Sequence, residues 1–98
     1  MKEHTINLTE IAHLAQNKMP KHKELSKGVS FGMKTLKEQT YNGTYLACAD
    51  YLNTHIANSA INMTIEYNKD KHDLYVGYIA LLSYMNTVLY DLYMQEEK

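Results

Sequence analysis

Two apolar seams lie side by side on one helical period near the end of the chain, and they limit the fold more than any other feature. Leu74, Tyr78, Leu81, Met85, Val88 and Leu92 step alternately by four and three residues. Beside them run Tyr75, Ile79, Leu82, Leu89 and Tyr93, interrupted only by Asn86. An ordinary surface helix turns a single apolar stripe toward its core, so two adjacent seams need cover from more than one neighbour. Either this helix is central in its domain, or one seam belongs to an interface between copies. Burying a Leu is worth roughly 1.5–3 kcal/mol, a large share of a small domain's stability. Tyr75, Leu82, Leu89 and Tyr93 are therefore the expected oligomer interface, most simply of a homodimer.

The preceding stretch supplies the natural antiparallel partner. Tyr45, Ala49, Leu52, Ile56, Ala60, Met63 and Tyr67 form a stripe that predicts a helix from Thr44 to about Tyr67. A strand competes locally, because Ile61, Met63, Ile65 and Tyr67 also alternate with polar residues. The polar run 68–72 reads as a turn, with Asp73 capping the last helix. Residues 44–98 thus form a long helical hairpin.

Residues 1–43 read as short, basic N-terminal helices. Asn7 followed by Glu10 has capping-box spacing, with Ile6 and Ile11 as the hydrophobic staple. Leu8, Ile11, Ala12, Ala15 and Met19 share a helical face, and Pro20 ends that helix near Lys18. A short helix should follow through Lys27, closed by Gly28 in the left-handed conformation. A third is expected from about Phe31 to Thr40, with a turn at Asn42-Gly43. The whole is expected to be a small all-α bundle of one domain, 1–98, completed by dimerisation.

Composition narrows the chemistry. Ten lysines and no arginine stand against eleven acids, for a net charge of −1. Without a guanidinium the chain has no bidentate group to read guanine or clamp phosphate. Asn and Tyr are in excess, and like Lys and Ile they use AT-rich codons, which suits a low-GC bacterium or one of its phages or plasmids. A lone cysteine, Cys48, allows no disulfide within the chain and suggests a reducing, cytoplasmic setting. The opening MKEHTINLTE has no apolar core of a secretory signal. Leu74–Tyr90 is uncharged, but its length is at the lower limit for a bilayer span and its middle is polar, so no membrane role is expected.

Catalytic and metal chemistry find little purchase. Glu10 and His13 have the spacing of half a di-metal helix motif, and no second Glu-x-x-His exists. Cys48 and His55 are two helical turns apart, about 10.5 Å along the axis, too far to share a metal or a proton. There is no nucleophile elbow, phosphate loop or dinucleotide glycine pattern. The expectation is no enzyme, no metal and no cofactor.

Charge and tyrosine carry the functional signal. Residues 18–37 hold six lysines against Glu24 alone, a balance of +5, whereas 38–98 balance at −5. That asymmetry suits contact with an acidic partner. Lys21, Lys23, Lys27, Lys34 and Lys37, with the off-stripe Tyr84 and Tyr90, are the candidate partner-binding residues. The favoured reading is a non-enzymatic regulator or inhibitor that grips a host protein. Two alternatives stand beside it: a helix-turn-helix-like DNA-binding regulator using residues 20–41, and an oligomeric sponge for a small anion.

Overall fold

A computed structural model describes residues 2–98. In chain order it has β1 (His4–Asn7), α1 (Leu8–Lys18), a 3-10 turn (Lys23–Leu25), α2 (Ser26–Thr35), β2 (Thr40–Gly43), α3 (Tyr45–Ile65) and α4 (Lys69–Glu96). The fold is mostly helical, yet it is not all-α. β1 pairs antiparallel with β2, Ile6 opposite Tyr41 and Asn7 opposite Thr40. Strands of four residues cannot show a convincing alternation, and their partners lie over thirty residues apart in the sequence.

The expected start of α1 is present in part. Asn7 Oδ1 accepts from the Glu10 backbone N–H at 3.2 Å, so the last residue of β1 is also the helix cap. Ile6, Leu8, Ile11, Ala12, Ala15 and Met19 are all buried. Met19 is extended, and α1 stops at Lys18 as Pro20 requires.

Beyond Pro20 the chain departs from expectation. No helix closes at Gly28; the link stays extended through His22, makes one 3-10 turn, and runs directly into α2. Gly28 lies inside α2, against the backbone of Gly77 in α4. A Cβ at Gly28 would meet Tyr78 N at 2.3 Å and Leu74 O at 2.4 Å. One at Gly77 would meet Leu25 O at 2.4 Å. Glycine is present for close approach, not for a left-handed turn. The predicted helix at 31–40 is displaced accordingly: α2 ends at Thr35, Glu38 takes φ 64, and the chain reverses into β2. Asn42-Gly43 belong to that strand.

The hairpin follows expectation more closely. Thr44 Oγ1 caps α3 by accepting from Ala47 N at 3.0 Å. Ile61–Ile65 is helical, so the competing strand does not form. The cap of α4 is Asn68 rather than Asp73: Asn68 Oδ1 accepts from Asp70 N at 2.9 Å and Lys71 N at 3.2 Å. An Asx cap at the first available position satisfies two amides at once and recruits 69–72 into the helix.

Helix α4 is the centre of the molecule, with α1, α2 and α3 all packed on it. The first seam meets α2 through Leu74, Tyr78 and Leu81, beside Gly28 and Gly32. Farther along, Lys18 of α1 reaches Asp91 of α4 at 2.7 Å. The second seam faces α3, since Asn86 Nδ2 donates to Asn53 Oδ1 at 2.6 Å. Leu82 and Leu89 flank that bond and are fully buried, while Tyr75 and Tyr93 are half-buried. The expected interface leucines are therefore covered within the chain. Three intramolecular neighbours supply the cover that one could not.

Asn86 Oδ1 is buried without a partner among the described residues. Leaving a buried acceptor unpaired costs roughly 1–3 kcal/mol. Asn53→Ala should therefore destabilise the fold by about 1–3 kcal/mol, because both polar ends of Asn86 are then orphaned. Asn86→Leu should be neutral or stabilising. Urea denaturation of the two variants checks the opposite signs.

The N-terminal strand is tied to the end of α4. Lys2 N donates to Glu96 Oε1 at 2.9 Å, and His4 Nε2 lies 2.5 Å from Glu96 Oε2. These contacts, the backbone N–H of Lys2 first and then the His4 side chain, hold the Glu96 carboxyl below the usual carboxylate range. A carboxylate lowered by folding contributes its tether above its unfolded pKa and loses it as pH falls through the folded one. The Lys2 amide resonance should titrate in acid with a midpoint below that of an ordinary Glu. Glu96→Gln should abolish that titration.

Candidate functional site

Because α1 and α2 both rest on α4 and scarcely touch each other, the extended link 19–22 bridges a groove between them. The groove has a volume of about 430 Å³. Its apolar lining is Met19, Pro20, Leu25 and Val29; Met19 and Val29 are the buried edge of the core. Lys21, His22 and Lys23 form its basic side, with Gln16 and Ser26 completing it. Pro20 builds this opening by forbidding α1 to continue, which would have closed the gap.

The candidate lysines divide into groups. Lys21 and Lys23 are exposed, line the groove and make no ion pair among the described residues. Lys27 pairs with Asp70 at 3.2 Å, both side chains being open to solvent. Lys27 and Lys34 border a shallower depression of about 390 Å³ with Phe31 and Leu74. Lys37 follows α2 and is exposed. Tyr84 is half-buried against the core, and Tyr90 is exposed on α4; neither lines these two openings. The lysine set and the tyrosine pair are thus not one site.

Other residues with chemical potential are employed structurally. Cys48 is fully buried, and burial pushes its thiol up to about 11, far from the thiolate a nucleophile needs. Its reaction with iodoacetamide at neutral pH should be slow in the folded chain and fast in urea, which mass spectrometry reads directly. His55 sits edge-on to Tyr51, ring centroids 4.7 Å apart. His4 stacks on Tyr45 at 4.2 Å. Among the described residues, no three His, Cys, Asp or Glu side chains are placed to hold a metal ion. Among the same residues, no helix is long and apolar enough to cross a membrane.

Sequence reasoning missed the groove's apolar residues. Met19 reads as the last core residue of α1, and Leu25 as part of a short helix. Pro20 between an apolar stripe and a lysine run was the available signal, and it needed the third dimension to become a cavity. A second feature was also illegible: Ile61 and Ile65, at the end of α3, are 62% and 65% exposed, and the adjoining Tyr67 is 99% exposed.

No known protein family matches the chain, and neither a curated protein nor a solved structure shows detectable similarity to it.

Proposed function

We propose that this chain is a non-enzymatic binding protein, a regulator or inhibitor that grips another protein through the basic face of residues 18–37. The observation that supports this reading most is a partly apolar groove lined by Lys21 and Lys23, neither of which makes an ion pair among the described residues. Lysines that serve only solubility need no apolar opening beside them. A protein partner supplies both acidic groups and apolar anchors, the combination common at interfaces.

DNA binding is the weaker reading on physical grounds. The turn that a helix-turn-helix needs near Gly28 is replaced by continuous helix, and Gly28 itself is packed against α4. Arginine is absent, and the net charge is slightly negative. The test is capture from a lysate of a low-GC bacterium, with and without nuclease treatment, followed by lysine cross-linking and mass spectrometry. The expected result is a protein whose cross-links concentrate at Lys21, Lys23, Lys34 and Lys37 and whose capture is lost after charge reversal at Lys21 and Lys23. Retention confined to nuclease-sensitive material at physiological salt would falsify the reading in favour of nucleic acid.

A further inference from the structure

We infer that the groove between α1 and α2 is a docking site for an acidic peptide segment carrying apolar anchor side chains. The inference rests on the protein-binding reading above and specifies what the partner must present. The groove's own chemistry selects the occupant. Its base, formed by Met19, Leu25 and Val29, offers no hydrogen-bonding side chain, so it receives an apolar group. Its volume of about 430 Å³ lies within the roughly 300–1,000 Å³ of ordinary ligand sites, enough for apolar side chains rather than a folded element.

Charge sets the rest. Lys21 and Lys23 stand on the groove without an ion pair among the described residues, and no acidic side chain lines it. The nearest acid in sequence, Glu24, is exposed in the 3-10 turn and outside the lining. Lys18 and Lys27, which flank the segment, are engaged by Asp91 and Asp70. Of the four lysines from Lys18 to Lys27, Lys21 and Lys23 are therefore the two left without a carboxylate among the described residues, and they are the two that line the groove. An acidic segment laid across the groove supplies those carboxylates while its anchors fill the apolar base. Complementary rim charge guides encounter, and buried anchors govern release.

Nucleic acid would use the lysines but leave the apolar base in water. A second copy seated on the groove would be displaced by Gln16→Trp, so a fall in molar mass by light scattering on that substitution would overturn the peptide.

The test is fluorescence anisotropy with labelled synthetic peptides on the full chain. The first probe carries Leu and Phe at helical spacing among Glu and Asp. The second replaces its Leu and Phe by Ser, and the third replaces its acids by Lys. Decanoate and a labelled DNA duplex complete the set. The first peptide should bind, and each altered peptide should bind at least about tenfold more weakly. Gln16→Trp projects bulk into the groove from an exposed position on α1, and it should weaken the first peptide about tenfold while leaving the melting temperature unchanged. Lys21→Glu with Lys23→Glu should do the same, whereas the equal charge change at Lys34 and Lys37 should matter less than about threefold. Equal binding of the Ser-substituted peptide, or no effect of Gln16→Trp, would overturn the groove while leaving protein binding elsewhere intact. Retention of the duplex with no peptide bound would overturn both readings. Decanoate binding alone would make the groove a small-anion site and overturn the peptide.

Discussion

Gly77→Ala is expected to be, together with Gly28→Ala, the most damaging single-methyl change in the chain. The added carbon would sit 2.4 Å from Leu25 O and 2.7 Å from Gly28 Cα, both backbone positions. A clashing side chain can rotate away; a clashing main chain moves only with its helix. Helix α2 must therefore lift from α4, uncovering Tyr78, Leu81 and Val29 along the crossing. Overpacking a core typically costs about 1–3 kcal/mol, and a backbone clash belongs at or beyond the top of that range. For a domain of this size each kcal/mol lowers the melting temperature by about 4–8 °C, so a fall of roughly 12 °C or more is expected. Gly28→Ala should match it. Gly32→Ala should cost less, because its new carbon meets the ends of the Leu81 and Tyr78 side chains, which can yield. Calorimetry of the three variants is the check. Equal losses at all three positions would show that the backbone contact is not what matters.

Leu82→Ala and Leu89→Ala should each remove about 2–5 kcal/mol, the range for a large side chain truncated in a packed core. Both leucines are fully buried with the chain alone, on either side of the Asn86–Asn53 bond. The loss should appear as a shifted urea midpoint with little change in slope. The molar mass by light scattering should be the same for each variant as for the wild-type chain, since the contact that is lost is intramolecular. A variant that dissociates into smaller particles without losing stability would restore these leucines to an interface between copies.

These expectations show where the sequence was sufficient. The double seam of α4, the cap at Asn7 and the stop at Pro20 were all legible. Each is a local rule: periodicity records which faces are buried, an Asx side chain satisfies nearby amides, and proline forbids the helix to continue. The seam left two places open for α4, the centre of the domain or an interface between copies, and the interface was the expectation. It did not say whether the second neighbour would come from the same chain. That depended on α2 reaching the α4 backbone closely enough to pack, with α1 continuing the cover.

Other features were decided only in three dimensions. The strand pair exists because His4–Asn7 meets Thr40–Gly43 across the intervening helices, a non-local pairing that four-residue patterns cannot announce. Gly28 looked like a helix terminator because glycine serves either a positive φ or a close approach, and sequence alone does not separate the two. The groove likewise arises between two helices that share α4 as a support while a proline-stiffened link holds them apart. By itself the sequence determined a two-sided helix, a basic segment and the absence of known catalytic motifs, because spacing and residue chemistry are local quantities. The tertiary structure alone decided which surfaces cover that helix, which lysines remain unpaired and where the core opens, because these depend on distances between residues remote in the chain.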